Sequence, residues 1–287
     1  MNEVELVLAA ENELGEGPLW NNAEQALYWV DIEAGNYQRY EPSTGHHQVI
    51  NIGIKVGALA FRQSGGLVLA TEKGLMFFDP PINELAPIRD PEASKANTRF
   101  NDGAVDRAGR FWAGTLGDPY NNNLYRMDTD WSIHRMETGL DISNGIGWSV
   151  DDRVMYLIDS TPKVIFAYDF DLVSGTVSNR RVFVDRSGKI GVPDGLIVDA
   201  EDFIWTAIWG GSCLERYDPQ GQLVKVIPLP VTFPTSMAFG GSTLEDLYIT
   251  SALVEIPLVE RKPEAWDGGL LRIPNAGKGL PESLFTG

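Results

Sequence analysis

A pattern of short apolar strands and turns recurs six times along the chain. Each unit begins with a polar step that contains a glycine or a serine, continues with a short apolar strand, and ends with two further strands. The units begin at Gly17, Gly57, Gly103, Gly145, Gly195 and Ser236, at intervals of 40 to 50 residues. A repeat of this period is typical of solenoids and propellers, in which one supersecondary unit is copied along the chain.

The second strand of each unit is the strongest β signal. These runs combine aromatic and branched residues and are bounded by turn residues. They are Leu27–Val30, Leu67–Ala70, Arg110–Ala113, Val154–Leu157, Phe203–Thr206 and Leu247–Thr250. No segment keeps a 3.6-residue apolar period long enough to predict a helix. The pattern predicts an all-β, six-bladed β-propeller with four antiparallel strands in each blade, whereas a two-sheet sandwich would explain the turns but not the sixfold spacing.

The repeats fill the chain, so we expect a single propeller domain over residues 1–287. The last unit supplies Ser236–Phe239, Leu247–Thr250 and Leu270–Ile273, and its remaining stretch is short for the fourth strand of a blade. The run Val4–Leu8 precedes the first unit. We expect this N-terminal strand to complete the last blade, which would close the propeller and remove an open sheet edge.

Charge and composition narrow the possible partners. The chain of 287 residues has 23 Lys and Arg against 40 Asp and Glu, a net charge of −17, so a nucleic-acid partner is not expected. No stretch approaches 18 apolar residues, and the acidic start does not resemble a signal peptide. One cysteine, Cys213, cannot form an internal disulfide, which fits a reducing compartment. We expect a cytoplasmic protein without a membrane partner, either a monomer or a weak homo-oligomer.

Polar residues stand at the head of the first strand in four of the six units. In a propeller these strands line the channel, so equivalent positions converge around one axis. The heads are Glu16-Gly17, Asn101-Asp102-Gly103, Asn144-Gly145 and Asp194-Gly195. Any one of them could be a simple turn, but the recurrence in register favours oxygen ligands for a hard divalent cation. The acids that follow the first strands, Asp106, Asp151 and Asp199, are interpreted as hairpin-turn residues.

Other chemistries find little support in the sequence. A nucleophile elbow, a P-loop and a dinucleotide fingerprint are all absent. The three histidines, His46, His47 and His134, lie outside the strand heads. A histidine-based zinc centre or a Ser-His-Asp triad is therefore not predicted.

The heads resemble the signature motifs of the senescence marker protein/gluconolactonase family, which includes regucalcin and bacterial sugar lactonases. The resemblance spans nearly the whole chain, and the motifs occur in the family's order. They are Leu14–Trp20, Arg99–Gly103, Ile142–Gly145 and Val192–Gly195. The family consists of six-bladed propellers, so the resemblance agrees with the fold predicted from the repeats.

The resemblance implies that Glu16, Asn144 and Asp194 bind one divalent metal ion. It also implies that Arg99 and Asn101 bind the substrate. Some members use a glutamate shortly after the third blade's second strand to hold sugar hydroxyls. Pro119 stands at that position here, so we expect Asp118 to take this role, and the departure leaves the preferred sugar open.

The family chemistry implies hydrolysis of a sugar (aldono-) lactone to its aldonic acid in carbohydrate catabolism. The metal would polarise the carbonyl, and Asp194 is the expected general base. Binding to a cation lowers the basicity of a carboxylate, so a hydroxide held by the metal is the alternative base. The oxygen-rich ligand set favours Ca²⁺, with Mg²⁺, Mn²⁺, Zn²⁺ and Fe²⁺ left open.

Two other functions remain compatible with these residues. One is the metal-dependent hydrolysis of other esters or organophosphates, against which the Arg99 and Asn101 pair argues, because it suits a hydroxylated substrate. The other is a non-catalytic, calcium-binding propeller. Fold alone does not separate these functions.

Overall fold

The computed structural model describes residues 3–262 and 266–287. In these ranges the regular elements are the strands β1 to β24 and one short 3-10 turn at Leu258–Glu260. The strands form six four-stranded antiparallel sheets, and the fold is a six-bladed β-propeller, as the repeats predict. No helix in the described ranges is long and apolar enough to cross a membrane.

Each blade follows the order of its strands along the chain. The first three blades are β2 (Gly15–Asn21), β3 (Ala26–Asp31), β4 (Asn36–Glu41) and β5 (His46–Asn51); β6 (Val56–Phe61), β7 (Leu67–Thr71), β8 (Gly74–Asp79) and β9 (Glu84–Arg89); and β10 (Arg99–Val105), β11 (Phe111–Leu116), β12 (Asn122–Met127) and β13 (Ile133–Leu140). The fourth and fifth are β14 (Ser143–Trp148), β15 (Val154–Asp159), β16 (Val164–Asp171) and β17 (Thr176–Asp185); and β18 (Val192–Val198), β19 (Ile204–Trp209), β20 (Cys213–Tyr217) and β21 (Leu223–Pro228).

The sixth blade combines three strands from late in the chain with the N-terminal strand. It consists of β22 (Pro234–Gly240), β23 (Asp246–Ser251), β24 (Leu270–Ile273) and β1 (Glu5–Leu8). The N-terminal strand β1 pairs antiparallel with β24, with Glu5 opposite Arg272. The predicted completion of the last blade by the N-terminal strand is confirmed.

Burial follows the position of a strand in its blade. The second strands β3 and β7 are buried along their whole length, whereas the fourth strands β5 and β9 are largely exposed. A second strand has sheet neighbours on both sides and packing on both faces, so it needs a continuous apolar run. This position explains why the second strands carry the clearest signal in the sequence.

The chain divides into two compact units. The first unit comprises Met1–Gly53 and Gly188–Glu282, and the second comprises Ile54–Ser187 and Ser283–Gly287. The first unit contains the first, fifth and sixth blades, and one apolar cluster runs through them. In this cluster the ring of Trp20 stacks on Tyr248 of the sixth blade, with centroids 5.7 Å apart.

The second unit contains the second, third and fourth blades together with the last five residues. Phe285 in this last segment is fully buried and packs in a cluster with Phe100 and Phe111. Its backbone N–H donates to Phe61 O at 2.9 Å, and its carbonyl accepts from Gln63 N at 2.8 Å. The segment therefore extends the pairing at the end of β6.

The acids after the first strands lie in hairpin turns, as predicted. Two of them, Asp106 and Asp199, also accept hydrogen bonds from buried tryptophans. Asp106 Oδ1 caps the turn by accepting from the backbone N–H of Ala108 and Arg110 at 3.0 and 3.1 Å. Asp106 Oδ2 accepts from Trp112 Nε1 at 2.8 Å and from Arg110 Nε at 2.7 Å. In the fifth blade, Asp199 Oδ2 accepts from Trp205 Nε1 in the same way, at 2.8 Å. These carboxylates anchor the core tryptophans of their blades.

We expect Asp106→Ala to lower the free energy of unfolding by about 3–5 kcal/mol, because it leaves the buried Arg110 without its carboxylate. Asp151→Ala is the matched control in the next blade, because the Asp151 side chain is 60% exposed. That change should cost less than about 1 kcal/mol. Denaturant unfolding of both variants measures the difference, and equal losses would contradict the anchoring role of Asp106.

Candidate functional site

Every first strand carries a β-bulge at its head. The pairing with the second strand shifts register between Glu16 and Leu19, Val56 and Ala58, Phe100 and Asp102, Asn144 and Ile146, Pro193 and Leu196, and Pro234 and Met237. A bulge leaves residues outside the ladder and redirects their side chains. The polar heads therefore lie inside bulged strands and not in turns.

The recurring glycine allows neighbouring first strands to approach each other closely. A Cβ atom on Gly195 would clash with Ser236 Oγ in the next blade, and one on Gly57 would lie 2.5 Å from Phe100 O. Either contact is too short for a real side chain. At these two positions glycine is thus required by packing between blades, whereas at Gly103 a Cβ atom would meet Trp112 O of the same blade at 2.7 Å.

The first unit holds two of the predicted metal ligands. Glu16 and Asp194 are buried, with only 7% and 6% of their surfaces exposed. Glu16 Oε2 accepts from Gly17 N at 2.9 Å. The head of the sixth blade lies between them, because Thr235 Oγ1 donates to Gly15 O at 2.5 Å and Ser236 packs against Gly195. Two buried carboxylates therefore flank the same blade head.

The second unit joins the predicted substrate residues to the third predicted ligand. Arg99 NH1 donates to Asn101 Oδ1 at 2.8 Å, and Asn101 Nδ2 donates to Ser143 O at 3.0 Å. Ser143 directly precedes Asn144, which is 6% exposed and whose Nδ2 donates to Ser160 Oγ at 3.1 Å. This chain of hydrogen bonds connects the heads of the third and fourth blades.

Asp118 lies at the same end of the third blade as Arg99. Leu116 at the end of β11 pairs with Arg99, and the exposed loop 117–121 follows directly. The carbonyl of Asp118 accepts from Asn121 N at 3.1 Å and from Asn122 Nδ2 at 3.1 Å. The loop is therefore anchored through the backbone of Asp118, while its carboxylate lies on an exposed residue.

Asp102 is a further buried acid at the head of the third blade. It is 8% exposed, and Gly103 N donates to Asp102 Oδ1 at 2.7 Å. Burial raises the pKa of Asp102 to about 6, although the hydrogen bond from Gly103 acts in the opposite direction. The sequence motif contains Asp102, but the family resemblance implies a role only for its neighbour Asn101.

The raised pKa of Asp102 has a consequence for stability. A carboxyl group whose pKa rises on folding stabilises the fold fully below its unfolded pKa near 4, and this contribution is lost as the pH rises through about 6. In the presence of a chelator, we therefore expect Asp102→Asn to be more stable than the original protein at pH 7.5, by roughly 2–3 kcal/mol. The gain should vanish near pH 4. Thermal unfolding at both pH values tests this, and a pH-independent difference would contradict it.

The donor set fits a hard cation. Among residues 3–262 and 266–287, no three His, Cys, Asp or Glu side chains group together as metal ligands. The predicted set contains only two acids, Glu16 and Asp194 in the first unit, and its third member is the amide Asn144 in the second. Buried carboxylate and amide oxygens are the ligands that Ca²⁺ and Mg²⁺ prefer, and an ion compensates the burial of negative charge.

A family model described as the SMP-30/Gluconolactonase/LRE-like region matches residues 14–253. The chain belongs to this family. The matched region includes all the residues of the site described above. Membership confirms the family resemblance identified from the motifs at the strand heads.

Three known proteins are similar to most or nearly all of the chain. Regucalcin of Danio rerio is 36% identical over 294 residues, which cover 99% of each chain. The pentonolactonase XacC of Haloferax volcanii is 37% identical over 242 residues, covering 83% of this chain and 81% of its own. The crystal structure of a calcium-binding protein, regucalcin, from Agrobacterium tumefaciens matches with a TM-score of 0.94 at 25% identity, covering 99% of this chain and 97% of that one.

Proposed function

We propose that this protein hydrolyses a sugar lactone to its aldonic acid with the help of one bound divalent cation. The observation that carries the proposal is the hydrogen-bonded pair Arg99–Asn101, which is linked through Ser143 to the buried head residue Asn144. Similarity to a pentonolactonase at 37% identity supports the lactone as substrate. The similarity to a protein described as calcium-binding supports a divalent cation, with Ca²⁺ favoured.

Glu16, Asn144 and Asp194 would hold this cation. When bound, a divalent cation acts as a Lewis acid that stabilises negative charge developing on the lactone carbonyl oxygen. Two carboxylates and one neutral amide leave the ligand sphere incomplete, since Ca²⁺ takes six to eight oxygen ligands. The open positions suit oxygen atoms of a substrate or of water.

Arg99 and Asn101 would bind and orient the lactone. The bond from Arg99 NH1 to Asn101 Oδ1 holds both side chains in place, at 2.8 Å. A guanidinium presents its donors in a planar fork that suits carbonyl and hydroxyl oxygens. Holding the ring in one orientation against the attacking water lowers the entropic part of the barrier. Asp118, at the same end of the blade, would accept hydrogen bonds from sugar hydroxyls.

Asp194 is the proposed general base. A base has to take a proton from the attacking water and later return it to the ring oxygen as the lactone opens. Asp194 is only 6% exposed, so its carboxylate has little competing bulk water around it.

A panel of substrates tests this proposal. We expect acid release from at least one five- or six-carbon γ- or δ-aldonolactone, well above the spontaneous rate. Simple aryl esters and an organophosphate triester are the comparison, and they should be hydrolysed far more slowly because they lack hydroxyl groups for Arg99, Asn101 and Asp118. Faster hydrolysis of the apolar esters would contradict the choice of substrate.

A calcium-binding propeller without turnover is the second candidate, favoured by the similarity to a protein described only as calcium-binding. The same panel separates the two functions. A protein that binds Ca²⁺ with a defined stoichiometry but hydrolyses no lactone with any divalent cation would favour this alternative.

A further inference from the structure

The segment that leads into the substrate strand contains one buried residue, and that residue is an acid. Between residues 90 and 98 every side chain is exposed or partly exposed except Glu92, which is 2% exposed. This segment connects the second blade to β10, whose first residue is Arg99. Charged residues are seldom fully buried unless other groups compensate the charge. We therefore expect groups around Glu92 that stabilise its carboxylate.

Four side chains donate hydrogen bonds to the carboxylate of Glu92. Oε2 accepts from Thr98 Oγ1 at 2.6 Å, and Oε1 accepts from Lys95 Nζ at 2.9 Å and from Tyr125 OH at 3.0 Å. Asn123 Nδ2 also donates to Oε1. Burial by itself raises the pKa of Glu92, but these hydrogen bonds outweigh it and hold the pKa below its usual range. The group is therefore an ionised carboxylate that is saturated with donors.

The four donors belong to three parts of the structure: the residue before Arg99, the connecting segment and strand β12. Thr98 directly precedes Arg99, and Lys95 lies within the connecting segment. Asn123 and Tyr125 belong to β12 in the third blade. Glu92 thus links Thr98, the residue before Arg99, to strand β12 of the third blade.

The hydrogen bonds around Glu92 also extend to the loop that carries Asp118. Lys95 Nζ, which pairs with Glu92, also donates to Asn121 O in loop 117–121. The two segments lie against each other, because a Cβ atom on Gly117 would be 2.8 Å from Asn97 O. The position of loop 117–121 is therefore coupled to the same carboxylate as the position of Arg99.

We propose that Glu92 is a positioning residue for the substrate site, which sets the relative placement of Arg99 and of the Asp118 loop. The inference rests on the proposed lactonase function. Glu92 acts through Thr98 and Lys95 and does not contact the substrate. Its loss should weaken substrate binding more than the chemical step, because the proposed base Asp194 lies in a different blade.

Glu92→Gln is the test variant, and Glu215→Gln is its matched control. Glu215 is also a buried glutamate, 5% exposed, that accepts from a tyrosine hydroxyl, that of Tyr217, but it lies in the third strand of the fifth blade. Both variants should lose a similar amount of thermal stability. Only Glu92→Gln should lose kcat/KM for an aldonolactone, by about 10- to 100-fold, the scale expected for misplaced binding groups, with most of the loss in KM.

Hydrogen exchange provides a readout that is independent of turnover. In Glu92→Gln the amides of residues 93–101 and 117–121 should exchange faster, while those of the fifth blade stay unchanged. Equal losses of kcat/KM in both glutamate variants, or a loss in Glu92→Gln that falls on kcat alone, would overturn the inference. If the original protein hydrolyses no lactone, the proposed function fails. Exchange then decides the inference, and unchanged exchange in these two segments refutes a positioning role.

Discussion

Asp194→Asn should lower kcat for lactone hydrolysis by roughly 10²–10⁴-fold, the usual contribution of a general base. Asparagine has the same shape and keeps one oxygen that can bind a cation, but it cannot accept the proton of the attacking water. Steady-state kinetics on the best aldonolactone, together with metal analysis of the purified variant, measure both roles of the residue.

The metal content decides how a loss of activity is read. A large drop in kcat with the cation retained identifies Asp194 as the base. A drop accompanied by loss of the cation shows that its role as a ligand dominates. Glu215→Gln, a change of another buried acid in the same blade, is the control and should retain kcat. Unchanged kcat in Asp194→Asn with the metal in place would contradict the assignment.

Arg99→Ala should lower kcat/KM by about 10- to 100-fold, since hydrogen bonds to charged groups contribute about 1.5–3 kcal/mol each. Most of the effect should appear in KM, because Arg99 orients the lactone and takes no part in proton transfer. Arg99→Lys should recover little, because an ammonium group lacks the planar fork that also holds Asn101.

Arg107→Ala is the matched control for Arg99. Arg107 follows the other end of the same strand, β10, and its NH1 donates to Ser149 O at 2.8 Å, as Arg99 NH1 donates to Phe100 O at 2.9 Å. Each variant therefore removes one arginine at an end of β10 together with its hydrogen bond to a backbone carbonyl. If Arg107→Ala reduces kcat/KM as much as Arg99→Ala does, Arg99 acts through the fold and not on the substrate.

The fold could be predicted from the sequence because its signals are local and repeated. Each second strand is buried on both faces, so its apolar run is visible without knowledge of its neighbours. The completion of the last blade was also predictable, because the sixth unit is one strand short and Val4–Leu8 is a free strand-like run. The docked position of Phe285 was not, since its partners near Phe61 and Phe111 are far away along the chain.

The heads of the first strands were predicted, but their geometry was not. The dipeptides Asn144-Gly145 and Asp194-Gly195 have the composition of turns, and the structure places them in bulged strands. Gly57 and Gly195 lie against the first strand of the next blade, and no single repeat contains both partners of such a contact.

The burial of Glu92 could not be predicted from the sequence for a related reason. It lies in a polar segment without periodicity, and such segments are usually exposed loops. Two of its donors, Asn123 and Tyr125, are 31 and 33 residues away along the chain. Only the fold brings these residues together, so the burial of this carboxylate had no local signature.

We expect hydrolysis of a sugar lactone to depend on one divalent cation bound by this chain. The most direct measurement is a titration of chelated protein with Ca²⁺, in which the bound metal and the rate of acid release from the best aldonolactone are followed together. Without metal we expect a rate near the spontaneous one. The rate should rise in proportion to the bound metal and stop rising at one cation per chain. Repeating the titration with Mg²⁺, Mn²⁺ and Zn²⁺ identifies the preferred ion. Full activity of the metal-free protein would show that hydrolysis does not depend on a bound cation.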